Sequence, residues 1–171
     1  MIIIGYQGIG KSTLAGTSRY VDLESGNFWV NGTRAADWYI PYCQIAVHLS
    51  QQGFLVFVSS HEVVRKQLRD CGETVLVCYP CLGLKDEWID KLQLRYNCSG
   101  LEKDYKALMN AKDRYFENIN ELMCESKFQH VVLDNMDYDL DKLIFDKWLD
   151  IVRYRNRGNN YVKKNNDEIT R

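Results

Sequence analysis

The apolar positions of this chain fall into short unbroken runs separated by amphipathic stretches, the rhythm of buried strands alternating with surface helices. Met1 to Ile4, the stretch RYVDLESGNF with a strand ending near Asp22, GFLVFVSSHE, TVLVCYP closed by Pro80, and QHVVLDN from Gln129 are runs of the first kind. Between the second and third, Trp38, Tyr42, Ile45, Ala46 and Leu49 make a helical stripe that stops before Gly53, and Pro41 within it demands a late start or a kink. Ser59 and Glu62 have capping-box spacing for the helix HEVVRKQLRDCG. A stripe through Trp88, Ile89, Leu92 and Tyr96 follows the fourth run. A second box, Ser99 to Glu102, opens a longer stripe through Tyr105, Leu108, Met109, Tyr115, Phe116, Ile119 and Leu122. The last helix is expected from about Asp139 to Tyr154, through Leu140, Ile144, Trp148 and Ile151.

Five strands alternating with helices, without an internal repeat or linker, predict a three-layer α/β fold around a mostly parallel sheet. Ligands of such sheets sit at the carboxyl ends of the strands, so the residues just after each strand are the ones to examine. After the first comes GYQGIGKST, which satisfies G-x-x-x-x-G-K-[ST] from Gly5 to Ser12. Gly5, Gly8 and Gly10 let the backbone turn through positive φ and bring successive N–H groups, that of Ile9 among them, towards an anion. Lys11 can reach phosphate oxygens, the Ser12 hydroxyl can ligate a Mg²⁺ bridging them, and Thr13 is a second hydroxyl in the first helical turn. Nucleotide phosphate binding is therefore expected here.

After the second strand stand Asp22-Leu23-Glu24-Ser25. In an extended segment residues two apart face the same way, so both acids can address one site, holding a metal or accepting an acceptor's proton; otherwise they form a solvated turn. After the third strand are Ser59, Ser60 and His61, where many ATPases of this motif place an aspartate, so the metal-positioning acid is expected from Asp22 or Glu24, with Asp134 after the fifth strand as another candidate. Residues 85–125 form an insertion far longer than one crossover helix needs. It carries Lys85, Lys91, Arg95, Lys103, Lys106, Lys112 and Arg114, and Arg95 is the best placed to close as a cationic lid.

Length and composition narrow this picture. At 171 residues and 20.0 kDa, 46% hydrophobic and 26% charged, the chain is one domain with a substantial core and no run long enough to span a bilayer. With the motif so close to Met1 no export signal is expected, and the six cysteines are then expected to be reduced thiols of a cytoplasmic protein. Cys78 and Cys81 form a C-x-x-C without a second close pair, so strand packing of Cys78 is expected rather than a metal site. A net charge of −1 argues against a nucleic-acid coat, although Arg153, Arg155, Arg157, Lys163 and Lys164 make the chain's end basic. The expected organisation is a domain at 1–155 followed by a polar tail at 156–171.

The N-terminal motif, the strand order along the chain, the acids after the second strand and the basic insertion after the fourth together resemble nucleotide and small-metabolite kinases: adenylate, thymidylate, shikimate and gluconate kinases. The resemblance covers nearly the whole chain as architecture, with GYQGIGKST as its one specific motif. It implies a P-loop NTPase sheet in the order 2-3-1-4-5 and ATP with Mg²⁺ as donor. The acceptor, a nucleotide or other small molecule, is then held between the second-strand acids and the following helix. Asp22-Leu23-Glu24 looks like the D-x-D of shikimate-type kinases, with Glu24 as a departure. No D-G-F-P-R follows the third strand and no arginine pair marks an acceptor phosphate, Arg19, Arg34 and Arg65 being the available substitutes. The compact, tail-bearing form also resembles bacteriophage kinases, some of which act on modified bases in DNA. An ATPase that moves a partner without phosphorylating it is the remaining class.

Overall fold

The computed structural model describes residues 1–17, 19–29, 31 and 33–169, with side chains described as far as Tyr154. Its strands are β1 (Ile2–Gly5), β2 (Tyr20–Asp22), β3 (Leu55–Ser59), β4 (Val75–Pro80) and β5 (Gln129–Leu133). They form one all-parallel sheet in the order β2-β3-β1-β4-β5. β1 is central: Ile2 lies opposite Val56 on one side and Val75 on the other. Every residue of β1 and β4 is buried, as are the middle three of β3, which requires cover on both faces and explains their continuous apolar sequences. At the β5 edge burial alternates, with Val131 and Leu133 inside and Val132 outside.

The helices are α1 (Lys11–Leu14), α2 (Tyr39–Gln51), α3 (Glu62–Leu68), α4 (Lys85–Ser99), α5 (Glu102–Met123) and α6 (Leu140–Ile169). α2 begins late enough for Pro41 to fall in its first turn, where a missing N–H costs nothing. α1 is a single turn, shorter than the sequence pattern suggests. Neither capping box forms. Ser59 ends β3, and α3 is capped at His61 without a side-chain bond. Ser99 belongs to the last turn of α4, which Gly100 closes in the left-handed conformation, and α5 starts behind Leu101. The Ser99 hydroxyl accepts from the Leu101 N–H at 3.2 Å and donates to the Asp104 carboxylate at 2.5 Å.

The α5 stripe is also rotated from the expected one. Asp104, Leu108, Ala111, Tyr115, Ile119 and Leu122 are buried, whereas Tyr105 and Phe116 are exposed. Arg114 departs from helical geometry at φ −132°, ψ 21°, yet the buried positions keep a regular three- and four-residue spacing across it.

Two compact units result, Met1–Tyr138 with the whole sheet and Asp139–Arg171 with α6. The tail boundary expected at residue 155 falls within α6. The side chains of Arg155, Arg157, Lys163 and Lys164 lie outside the described residues. Among the described residues no helix is long and apolar enough to cross a membrane, and no group of three or more His, Cys, Asp or Glu could hold a metal. All six cysteines are free; burial pushes the thiols of Cys43 and Cys78 up to about 12, which makes them inert packing groups.

Candidate functional site

The loop from Gly5 to Ser12 joins the central strand to α1, and three glycines shape it. Gly8 and Gly10 sit at φ +85° and +99°, and a Cβ on Gly8 would come within 2.9 Å of Leu92 Cδ2 and 3.3 Å of Trp88 Nε1. Gly5 has a different constraint: a Cβ there would meet Ile9 Cδ1 and Lys11 Cδ at 2.8 Å. Two of the loop's carbonyls are held by side chains from outside the loop. The Trp88 indole N–H donates to the Gln7 carbonyl at 3.0 Å, and the Tyr138 hydroxyl donates to that of Ile9 at 3.1 Å. Lys91 donates to the Tyr138 oxygen at 2.7 Å, and the Gln7 amide donates to the Ala107 carbonyl of α5 at 2.8 Å.

Inside this loop the Lys11 ammonium donates to the Gly5 carbonyl at 3.0 Å. Burial pushes its pKa down, Asp22 and Glu24 pull it back up, and Arg95 adds to the lowering. Ser12 donates its hydroxyl to Asp22 Oδ2 at 3.0 Å. Burial raises the Asp22 carboxyl above its ordinary value, against the opposing pull of Lys11 and the Ser12 hydrogen bond. Leu23, between the two acids, is held at both ends: its N–H donates to Phe57 at 2.9 Å and its carbonyl accepts from the Tyr42 hydroxyl at 2.7 Å. Glu24 is half exposed, with its carboxylate 3.6 Å from Lys103 Nζ of α5. Both second-strand acids therefore act on Lys11, as i and i+2 residues of an extended segment can.

Arg95 is on α4, ion-paired with the buried Asp104 of α5 and 44% exposed, and its charge reaches Lys11. Thr13 is exposed. Asp134 lies apart at the end of β5, the strand beyond β4, where it accepts from Asn135 at 2.8 Å. Arg65 is not available to an acceptor. It is buried in α3 and bound to Glu125 and Glu121, each at 2.8 Å, and to the Ser60 carbonyl. Arg19 lies over the Tyr20 ring, 5.4 Å from its centroid.

Two groups escaped the sequence reading. Trp88 is expected from the sequence only as part of an apolar helical stripe and Tyr138 carries no signal, because nothing in their spacing links them to a loop some eighty and a hundred and thirty positions away. The second group is an aromatic cluster at the ends of β2 and β3, made by Phe28, Trp29, Trp38, Tyr42 and His61 around Arg34. Its signal was the density of aromatic residues between positions 28 and 42.

No family model matches the chain, and no curated protein matches it by sequence. Among solved structures it is similar to the Deinococcus radiodurans tunicamycin resistance protein, with a TM-score of 0.54 and 16% identity over 88% of this chain and 94% of that one. At that identity the likeness is one of fold, an α/β arrangement around a five-stranded parallel sheet.

Proposed function

We propose that this chain is an ATP-dependent phosphotransferase of the nucleotide-kinase type, with the Gly5–Ser12 loop as its P-loop and α4–α5 as its lid. The observation that carries the reading is the Ser12–Asp22 hydrogen bond beside a partly buried Lys11, which joins the carboxyl ends of β1 and β2 across the intervening β3. The donor set suits Mg²⁺ and a nucleotide. Mg²⁺ takes one or two protein oxygens and keeps its waters, which Ser12 and Asp22 can supply without a larger acidic cluster. The positive φ of Gly8 and Gly10 supports a backbone that can turn its N–H groups towards an anion.

Bound ATP and Mg²⁺ supply the transferable phosphoryl group and part of the charge neutralisation. Lys11 stabilises charge that builds on the transferred oxygens, and its burial makes that interaction stronger than it would be in water. Asp22 or Glu24 orients the acceptor hydroxyl and takes its proton. Arg95, held by Asp104, adds positive charge from the lid side. The free cysteines suit a reducing cytoplasm.

The test is ATP consumption by the full-length protein with Mg²⁺ against a panel of nucleosides, nucleoside monophosphates, sugar acids, tunicamycin and modified DNA. Acceptor-stimulated turnover lost in Lys11→Ala is expected. ATP hydrolysis indifferent to every acceptor would favour the ATPase class, and absence of ATP binding would remove the P-loop assignment.

A further inference from the structure

Arg34 is held as a flat cation between two indoles. Its guanidinium carbon lies 4.0 Å from the Trp38 ring centroid and 5.0 Å from that of Trp29, and one Nη donates to the Ser25 carbonyl at 2.6 Å. Its Nε–H is buried and has no hydrogen-bond partner. The Ser59 hydroxyl, at the carboxyl end of β3, is also buried without a partner. Orphaned buried donors are costly, so two linked through Trp38 and Tyr42 point to a group that completes them.

The neighbourhood lies beside the proposed reaction site. The Tyr42 hydroxyl accepts from the Ser59 N–H at 2.8 Å and donates to the Leu23 carbonyl, the residue next to Asp22. Tyr42 also packs against Phe28 and Trp38 at 5.3 and 5.4 Å, and Trp38 meets the His61 ring edge-on at 5.6 Å. Trp29 is 55% exposed and offers an open aromatic surface at the mouth of this cluster.

Resting on the phosphotransferase reading, we infer that Trp29, Arg34, Trp38 and Ser59 recognise the acceptor, and that the acceptor carries a planar heteroaromatic ring with a ring carbonyl, as a nucleoside does. The exposed indole supplies stacking, and the Arg34 Nε–H and Ser59 hydroxyl supply donors to ring oxygens. A phosphate dianion suits the cluster less well. Arg34 already spends an Nη on Ser25, Arg65 is neutralised by Glu121 and Glu125, and burial together with the charges of Arg34 and Arg65 disfavours protonation of His61.

The experiment is equilibrium binding of uridine, inosine, adenosine and ribose 5-phosphate to the full-length protein, read by tryptophan fluorescence and calorimetry, with MgATP binding measured separately. Uridine and inosine are expected to bind and to quench fluorescence, adenosine about tenfold more weakly, and ribose 5-phosphate not at all. Arg34→Met and Trp29→Leu should each weaken uridine binding about tenfold or more and leave MgATP binding unchanged. Trp29, being exposed, gives a variant whose folding is not at issue. Ribose 5-phosphate binding as tightly as uridine, or uridine binding unaffected in Trp29→Leu, overturns the inference. Failure of every nucleoside to bind while MgATP binds overturns it and spares the phosphotransferase reading. Uridine binding without MgATP binding does the reverse.

Discussion

Ser12 and Asp22 are joined by a 3.0 Å hydrogen bond that links the loop after the central strand to the end of β2, the strand at the sheet's edge beyond β3. The Asp22 carboxylate lies within electrostatic reach of Lys11, in surroundings whose burial disfavours its charge. The sign of that effect is the basis of the first prediction.

Asp22→Asn should inactivate the protein without weakening it. Burial raises the Asp22 pKa above the ordinary 3.8, so between those two values the folded chain keeps a proton that the unfolded chain releases. Folding stability from this group is thus lost as pH rises through that window, and at neutral pH the charge opposes folding. The asparagine removes the charge and keeps the shape. Unchanged or higher Tm at pH 7, with kcat reduced at least tenfold, is the expected result by thermal melts and ATP-coupled kinetics. In the unsubstituted protein the acid limb of the rate profile should lie above 3.8.

Lys11→Ala should lower transfer on the order of a hundredfold or more, roughly 3 kcal/mol of transition-state stabilisation. The side chain is a partly buried cation whose desolvation disfavours its charge, and this penalty offsets its bond to the Gly5 carbonyl, worth about 1.5–3 kcal/mol. Circular dichroism and Tm should therefore stay close to those of the unsubstituted protein. A soluble variant with full activity would remove Lys11 from the site.

The five strands and their parallel arrangement were legible because buried apolar runs alternating with amphipathic stretches are a local signal, whereas the order β2-β3-β1-β4-β5 followed from a resemblance of architecture and from no local pattern. The capping boxes failed because Ser59 and Ser99 each match a spacing that tertiary structure uses differently, one ending a strand and one bonding Asp104. Arg65 looked like a substrate cation, yet its partners Glu121 and Glu125 come from α5, about sixty residues away, and no local pattern announces them. The Arg34 cluster was illegible for the same reason: stacking is a property of approach, and the sequence shows only that aromatics are plentiful there.

Gly8→Ala should reduce stability by about 1–3 kcal/mol, from positive φ and from crowding against Leu92 and Trp88. Leu92→Ala removes one of the two neighbours. If crowding contributes, the double variant will lose less than the sum of the single ones, by chemical denaturation with unchanged m-values.

Arg65→Met should cost about 3–5 kcal/mol, because it leaves Glu125 buried with only Arg69 to answer it. Burial alone would raise the Glu125 pKa, but hydrogen bonds and charge from Arg69 and Arg65 hold it below 4.5. The stability this provides is complete above pH 4.5 and disappears as pH falls through the lowered value. The difference in unfolding free energy between the unsubstituted protein and Arg65→Met should therefore narrow in acid, and the double variant Arg65→Met/Glu125→Met should recover much of the loss.

The position of β1 has a consequence for how the chain reaches this structure. Ile2 finds its partners at Val56 and Val75, so the most apolar strand is synthesised well before either flank exists. Until then the backbone groups of residues 2–5 have no sheet to join, and closing loops of that length must precede any gain from pairing. The same sheet that brings Ser12 to Asp22 thus makes a nascent chain with an unpartnered greasy segment, slow to commit and prone to self-association in the interval. Refolding rates that fall steeply with β1 substitutions, while β5 substitutions mainly speed unfolding, would be the kinetic trace of that order of events.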